Sequence, residues 1–244
     1  MDLRGKMILV TGAARRLGRA IALELAGAGA HLLVHHSASD SDAEETCEAI
    51  RTLGSQAHAF RADLRQAGQI TRLFEQIDRL GPLHALVNSA AVMLRGDLLS
   101  ASEADWHATM DLNLKAAFFV LQQAALRIRQ AGGGVIINVA DLAGLQPMPR
   151  FPIHSISKAG VLSLTRVAAL ALAPDIRVNA VVPGPVLKPD TMPEARWRSF
   201  GESLPLQRTG TPGNVARSVR FLLENDFITG ESLLVDGGNQ FITS

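Results

Sequence analysis

The strongest constraint on the fold is a regular alternation that runs along all 244 residues. Short runs of β-branched residues and leucine alternate with longer segments of helical period, a pattern typical of βα units stacked into a parallel sheet. The short runs are apolar on both sides, as buried parallel strands are. We therefore predict one α/β domain spanning residues 1–244, with a doubly wound, seven-stranded parallel sheet and helices on both faces.

The pattern also predicts where the elements lie. The predicted strands are Met7–Thr11, His31–His35, Ala57–Ala62, Ala85–Asn88, Val135–Val139, Arg177–Val182 and Ser232–Val235. The predicted helices are Leu17–Gly27, Asp42–Leu53, Ala67–Arg79, Glu103–Gln130, His154–Leu172 and Pro212–Glu224. Ser102 is a candidate N-cap, and Thr211-Pro212 places proline at a first helical position.

One long segment breaks the periodicity. Five prolines fall between residues 183 and 205, and residues 184–210 contain no clear strand or helix pattern. Irregular segments of this length inside a compact domain are usually functional. We expect residues 184–210 to form a lid over a substrate site.

Composition narrows the class of partner. The formal charge of +1 gives no broad electrostatic surface for nucleic acid or an anionic membrane. No apolar run approaches the roughly 18 residues of a membrane span, and the first residues lack the apolar core of a signal peptide. Cys47 is the single cysteine, so no internal disulfide can form. We expect a cytoplasmic protein that binds a small molecule, with no metal site. The composition includes no tyrosine.

A glycine turn follows the first predicted strand. The residues from Thr11 to Gly18 read TGAARRLG and lead directly into a helix. Small residues at such a turn let backbone N–H groups approach a pyrophosphate at the helix N-terminus, whereas an ordinary tight connection is the alternative. Its position between a strand and a helix favours dinucleotide binding in a Rossmann fold.

This turn resembles that of the short-chain dehydrogenase/reductase family, whose pattern is Thr-Gly-x-x-x-Gly-x-Gly. Arg16 stands where that pattern has its middle glycine, which is similar to the pteridine reductase branch. Further similar motifs follow along the chain: Ala62-Asp63-Leu64, Asn88-Ser89-Ala90-Ala91, Asn113 in Asp-Leu-Asn-Leu, Asn179 to Gly184, and Ile228 to Gly238. The resemblance implies a nicotinamide cofactor and an assembly of four identical subunits.

The second predicted strand bears on the choice of cofactor. Dinucleotide folds select NAD with a carboxylate at the end of this strand, and NADP with cations or hydroxyls. Here the strand is followed by His36 and Ser37, with no carboxylate before Asp40, and Arg15 can bind a phosphate bidentately. We expect NADP(H), although His35 and His36 can equally be packing residues. The resemblance implies the other cofactor contacts: Gly12, Arg16, Leu17, Asp63, Leu64, Asn88, Ala90, Lys158, Pro183, Gly184 and Val186.

The family's catalytic positions are altered in this chain. The family has a serine, and a tyrosine four residues before a lysine on one helix face. The lysine is present as Lys158, but His154 holds the tyrosine position and Asp141 the serine position. The aspartate is again similar to pteridine reductases; the histidine is not. Asn113 aligns with an asparagine that holds a water in the family's proton relay, and can equally be a satisfied core amide.

A histidine can replace the phenol as an acid or base. Lys158 and an oxidised nicotinamide would favour neutral His154, whereas Asp141 would stabilise its protonated form or supply the proton itself. His154 at a helix start can also be purely structural, and Asp141 can merely cap a turn. We expect Asn113, Asp141, His154 and Lys158 to form the catalytic site, with Lys158 also binding the nicotinamide ribose.

The substrate pocket is predicted from the lid and its surroundings. Arg16, Met93, Met148, Met192 and Trp197 are the expected substrate contacts. Further apolar candidates are Leu94, Pro147, Phe151 and Leu187, and any of these residues can instead be subunit packing. Helices apolar beyond one stripe, within 103–130 and 160–172, favour burial against a second subunit.

These patterns support three functional hypotheses. The first is an NADPH-dependent reductase of a small carbonyl or C=N bond, with pterins one candidate class. The second is a 3-oxoacyl or simple ketone reductase. The third is an NADP-binding protein that lost catalysis together with the family tyrosine.

Overall fold

The computed structural model describes residues 1–242 and shows one seven-stranded sheet in which every pairing is parallel. The strands are β1 Met7–Val10, β2 His31–His36, β3 Ala57–Arg61, β4 Ala85–Asn88, β5 Gly134–Val139, β6 Ile176–Pro183 and β7 Ser232–Val235. Their spatial order is β3-β2-β1-β4-β5-β6-β7. The predicted doubly wound sheet is confirmed, and the order reverses between β1 and β4, where α/β sheets bind ligands at the carboxyl ends of their strands.

The helices lie on both faces of the sheet. They are α1 Arg16–Gly27, α2 Asp40–Thr52, α3 Ala67–Ile77, α4 Glu103–Met110, α5 Ala117–Gln130, α6 Pro152–Leu172, α7 Glu194–Ser203 and α8 Pro212–Glu224. Alternate residues of β1 face opposite layers, because side chains alternate along a strand. Ile8 and Val10 pack with α1, α2 and α8, whereas Leu9 packs with α3, α5 and α6.

The N-terminal ends of two helices follow the predicted chemistry. Ser102 caps α4: its hydroxyl accepts from the Asp105 N–H at 3.2 Å, and the Asp105 carboxylate accepts from the Ser102 N–H at 3.0 Å. Thr211 precedes α8, which begins with proline, and its N–H donates to the Asn214 side chain at 2.8 Å. Both caps satisfy N–H groups that lack an intrahelical partner.

Three predictions of the helices need correction. The predicted helix Glu103–Gln130 is interrupted by one π-helical turn, Asp111–Ala116, which contains Asn113. The predicted irregular lid 184–210 contains α7, because prolines flank a ten-residue stretch that can form a helix. Helix α6 begins at Pro152, two residues before the predicted start, so His154 lies within its first turn.

Helix α6 also bears on the expected absence of a membrane span. By length and composition it could cross a membrane, with a mean hydropathy of 1.3 over an 18-residue window. Half of that window is buried inside the fold, and core helices of soluble proteins meet the same criteria. The sequence expectation considered uninterrupted apolar runs, which α6 lacks because polar residues such as Lys158 lie within it.

Candidate active site

The glycine turn is shaped by close backbone approaches. Gly12 has φ +66°, and a Cβ there would lie 3.0 Å from the Ala90 Cα. A Cβ at Gly18 would lie 2.2 Å from the Gly12 carbonyl oxygen, so neither position accepts a side chain without a shift of the backbone. The turn therefore packs against the end of β4 and leads into α1, whose first N–H groups have no intrahelical acceptor.

His35 holds the glycine turn in place, a role that the sequence reading left open. Its Nδ1 accepts from the Gly12 N–H at 3.2 Å, and its Nε2–H donates to the Ala62 carbonyl oxygen at 3.0 Å. Burial lowers the pKa of His35 to about 4, despite the favourable bond to Ala62. His35 is therefore a neutral structural bridge between β2, the glycine turn and the segment after β3.

Arg16 adopts a conformation that favours glycine. Its φ is +53°, at the position where the resemblance places a glycine, and this region is strained for side chains with a Cβ. The exposed guanidinium lies 3.4 Å from the Asp190 carboxylate in the predicted lid. The turn thus positions Arg16 between the expected pyrophosphate site and residues 184–210.

Asp141 follows β5 in extended conformation and uses its two oxygens differently. Oδ1 accepts from the Ala143 N–H at 2.8 Å and caps a short 3-10 turn, Leu142–Gly144. Oδ2 faces His154 Nε2 at 3.8 Å. Burial alone would raise the pKa of Asp141, but the facing imidazole, the Ala143 N–H and the charge of Lys158 together lower it. Asp141 is therefore both a turn cap and the partner of His154.

His154 is buried behind Asp141. Its ring lies in the first turn of α6 and is 4% exposed, compared with 31% for the Asp141 side chain. Nδ1 lies 3.1 Å from the Val92 carbonyl oxygen and 3.4 Å from Asn113 Nδ2, and the shorter contact, to a carbonyl oxygen, favours a proton on Nδ1. Nε2 is fully buried and has no hydrogen-bond partner within residues 1–242. In neutral His154 the Nε2 lone pair would therefore face a carboxylate, whereas the protonated ring presents a donor to it.

Lys158 lies one turn further along α6. Its Nζ donates to the Val139 carbonyl oxygen at 2.8 Å. Burial lowers the pKa of Lys158 to about 8, although the Asp141 charge acts in the opposite direction. Lys158 also lines a buried cavity of about 10 Å³, the size of one water molecule, together with Thr11, Asn88 and Asn113.

Asn113 is a satisfied core amide. Its Oδ1 accepts from the Val92 N–H, and its Nδ2 donates to the Val92 carbonyl oxygen, both at 2.8 Å. Nδ2 also lies 3.1 Å from the Ser157 hydroxyl. The side chain therefore fixes Val92, the residue whose carbonyl oxygen orients His154. Asn113 also lines the water-sized cavity, and its expected role in a proton relay stays a prediction.

The remaining expected cofactor contacts lie along the carboxyl edge of the sheet. Asn88 Nδ2 donates to the Ala117 carbonyl oxygen and to Asn138, and the Ala90 N–H donates to the Thr11 hydroxyl. Pro183 ends β6. Gly184 packs closely against Asp236, since a Cβ at Gly184 would lie 2.6 Å from the Asp236 Cβ. Buried Val186 donates its N–H to the Gly184 carbonyl oxygen, and Leu17 packs partly buried at the start of α1.

The end expected to bind adenosine combines opposite charges. Arg15 Nε lies 3.5 Å from Asp42 Oδ2 in α2, and both side chains are exposed. Hydrogen bonds from Arg65 lower the pKa of Asp63 to about 2, so Asp63 is an anion. Leu64 lines the buried cavity, and exposed Ser37 follows β2. This edge offers acceptors, cations and a tight glycine turn, which fits a dinucleotide.

The expected substrate residues are spread around the site. Met93 is 46% exposed, and Met148, Met192 and Trp197 are partly buried. The Met192 carbonyl oxygen accepts from Lys188 Nζ at 2.9 Å, and the Trp197 ring lies against Phe200 at 6.2 Å between centroids. The substrate role of these residues and the lid role of 184–210 stay predictions.

Comparisons with known proteins identify the family. The family model described as enoyl-(acyl carrier protein) reductase matches residues 12–240. The 2-dehydro-3-deoxy-D-gluconate 5-dehydrogenase of Escherichia coli is 35% identical, over 97% of this chain and 96% of its own. The 3-oxoacyl-[acyl-carrier-protein] reductase of Staphylococcus aureus is 33% identical, over 96% of this chain and 97% of its own.

A solved structure agrees with these relatives. The crystal structure of a putative short-chain alcohol dehydrogenase from Sinorhizobium meliloti superposes with a TM-score of 0.93 at 33% identity, covering 99% of both chains. The match extends over the whole sheet and the glycine turn. The chain therefore belongs to the short-chain dehydrogenase/reductase family of nicotinamide-dependent oxidoreductases.

Proposed function

We propose that this protein is an NADP(H)-dependent reductase of a small carbonyl or C=N substrate. The observation that carries the proposal is the group of Asp141, His154 and Lys158 at the carboxyl edge of the sheet, beside the glycine turn. A bound reduced nicotinamide supplies the hydride. The chain's own groups then have to supply a proton to the reacting oxygen or nitrogen.

The burial of the pair suggests the order in which the proton moves. Asp141 is the more exposed of the two side chains, and His154 Nε2 has no exposed surface. Asp141 Oδ2 is therefore the group that contacts substrate, and His154 Nε2 holds the proton behind it. A proton passed from Nε2 through Asp141 to the substrate leaves neutral His154, whose Nδ1–H still donates to the Val92 carbonyl oxygen. Such acid catalysis contributes typically 10²–10⁴-fold.

The proposed cofactor contacts follow the same edge. Gly12 and the start of α1 hold the pyrophosphate, Arg15 and Ser37 the adenosine 2′-phosphate, and buried Lys158 the nicotinamide ribose. Titration of NADPH and NADH against intrinsic tryptophan fluorescence tests the preference. Tighter binding of NADPH supports it, and equal affinities contradict the argument from Arg15 and Ser37.

The substrate class is best tested with a panel. Pterins remain a candidate because Arg16 and Asp141 are similar to the pteridine reductase branch. A 3-oxoacyl substrate is favoured by the name of the Staphylococcus aureus relative. Initial rates of NADPH oxidation with simple ketones, 3-oxoacyl thioesters and pterins distinguish these classes; if no member of the panel is reduced, the reductase proposal fails.

We also propose a cytoplasmic homotetramer. The apolar faces of α5 and α6 are exposed in the single chain: Phe118 is 45% exposed, Val167 60% and Leu170 84%. Adjacent exposed apolar residues of this kind are typical of subunit interfaces. Light scattering should give the mass of four chains, and Val167→Glu should give smaller species. A wild type that is monomeric at micromolar concentration contradicts this assembly.

A further inference from the structure

Polar side chains lie together where the second and third strands end, and two of them, Arg61 and Asp40, are outside the expected cofactor contacts. His36 is the last residue of β2 and Arg61 the last residue of β3, and the two are paired across the sheet. Ser37 and α2 follow directly. Since this edge continues from the glycine turn, a nucleotide bound at that turn would reach it with its adenosine ribose.

Arg61 contacts one backbone oxygen and one exposed carboxylate. Its Nε donates to the Ser37 carbonyl oxygen at 3.2 Å, and Nη1 lies 3.4 Å from Asp40 Oδ2. The side chains of Arg61 and Asp40 are 65% and 64% exposed. The backbone bond fixes the direction of the guanidinium, while a solvent-exposed carboxylate balances its charge. Exposed pairs of this kind contribute little free energy, so a stronger anion can replace the carboxylate.

His36 provides a second, independent sign of a ligand. The residue is 6% exposed, and its buried Nδ1 lacks a hydrogen-bond partner in the part of the chain that the structure describes. Its Nε2 lies 3.9 Å from Asp40 Oδ1. Burial lowers the pKa of His36, so the ring is a neutral hydrogen-bonding group and the positive charge at this edge has to come from arginine. A buried polar atom without a partner is costly unless a ligand or water satisfies it.

Arg15 approaches the same edge from the glycine turn. Its contact to Asp42 is 3.5 Å long, and both side chains are exposed, as they are in the contact of Arg61 to Asp40. The edge beside His36 therefore carries two cations, each balanced by a replaceable carboxylate from the first turn of α2. A phosphate with two negative charges and three acceptor oxygens attracts arginine more strongly than a singly charged carboxylate does.

We propose that Arg61 is the second cation of a 2′-phosphate subsite, opposite Arg15, and that Asp40 holds its guanidinium until the phosphate displaces it. This inference rests on the proposed NADP(H) cofactor. It adds a positioning role for Asp40: its carboxylate repels the 2′-phosphate and competes for Arg61, so it limits the preference for NADP(H).

Nucleotide fragments test the subsite without requiring turnover. Calorimetry compares adenosine 2′,5′-bisphosphate with adenosine 5′-monophosphate, which lacks only the 2′-phosphate, and with inorganic phosphate. Arg61→Ala should weaken binding of the bisphosphate about tenfold or more and change that of the monophosphate less than about twofold. Asp40→Asn should increase the affinity for the bisphosphate severalfold. Arg51→Ala is the matched control, because it removes an arginine at the far end of α2, where Arg51 pairs with Glu44.

The outcomes separate this inference from the proposed function. In the first outcome, the wild type prefers the bisphosphate, and Arg61→Ala either keeps that preference or weakens the binding of both nucleotides equally. Arg61 is then not part of the subsite, and the cofactor proposal stands. If the wild type shows no preference, the NADP(H) proposal and this inference fail together. Inorganic phosphate that binds as tightly as the bisphosphate, and depends on Arg61, would show an anion site unrelated to nucleotides. Arg61→Lys keeps the positive charge but not the paired N–H donors of the guanidinium, and it should recover part of the affinity for the bisphosphate. It also serves as a control in case the alanine variant misfolds.

Discussion

His154 Nε2 lies 3.8 Å from Asp141 Oδ2, with the imidazole buried behind the more exposed carboxylate. Nδ1 lies 3.1 Å from the Val92 carbonyl oxygen, so Nε2 is the ring nitrogen directed at the carboxylate. We propose that the two side chains act as one unit and that Asp141, the more exposed of the two, contacts the substrate.

We expect Asp141→Asn and His154→Gln each to lower kcat about 10²-fold or more. The kcat of the double variant should be close to that of the less active single variant. The reason is that either change interrupts the same proton path. Steady-state rates of the four proteins give this double-mutant cycle. Losses that multiply would mean that the two residues act separately, and NADPH affinity by fluorescence serves as the control for folding of the site.

His35 should make the protein sensitive to acid. Its pKa is lowered from 6.5 to about 4 by burial, so below pH 6.5 the unfolded chain binds a proton that the folded chain does not. Its contribution to stability is complete above pH 6.5 and is lost as the pH falls towards 4, by about 3 kcal/mol. Urea unfolding at several pH values measures this change. His35→Gln should be less stable at neutral pH but should show a flatter profile between pH 6.5 and 4; parallel profiles would contradict the assignment.

Arg16 should tolerate glycine better than alanine. Alanine keeps the strain of φ +53° and loses the contact to Asp190, whereas glycine relieves the strain. We expect Arg16→Gly to be about 1 kcal/mol more stable than Arg16→Ala, as measured by urea unfolding. The reverse order would show that the left-handed conformation is not maintained in solution.

Lys158 should reduce stability at neutral pH. Burial lowers its pKa from 10.5 to about 8, so between these values the unfolded chain holds more protons and stability rises with pH. Lys158→Met removes this dependence. As the pH rises from below 8 to above 10.5, the wild type should therefore gain about 3 kcal/mol in unfolding free energy relative to the variant. The difference in unfolding free energy between the two proteins, followed from neutral pH upward, measures it. A constant difference would mean that the ammonium is hydrated in the folded protein.

The order of strands and helices was predictable because periodicity of 2 or 3.6 residues reports which faces are buried. The ends of the helices and strands were harder to predict from the sequence. Helix α7 was missed because the prolines around it hide a short helical stretch, and the π-helical turn at Asn113 leaves no periodic signal distinct from the long helix that contains it.

The candidate site was predictable only as far as the motifs extend. The register of Asp141, His154 and Lys158 came from the family resemblance, and the structure places Asp141 Oδ2 3.8 Å from His154 Nε2. The sequence could not indicate which of the two is exposed, since that depends on how α6 packs against the turn after β5. The bridge formed by His35 and the position of Arg61 were also missed, because both depend on pairing between distant strands.

We propose that the native chain carries out hydride transfer with His154 at the position where the family resemblance predicts a tyrosine. This proposal is tested most directly by NADPH oxidation with the carbonyl and pterin panel, measured for the wild type, His154→Ala and His154→Tyr at matched NADPH saturation. We predict that the wild type turns over a member of the panel and that His154→Ala lowers this rate about 10²-fold or more with unchanged NADPH affinity. A wild type without turnover, together with an active His154→Tyr variant, would contradict the account and show an NADP-binding protein that has lost its catalysis.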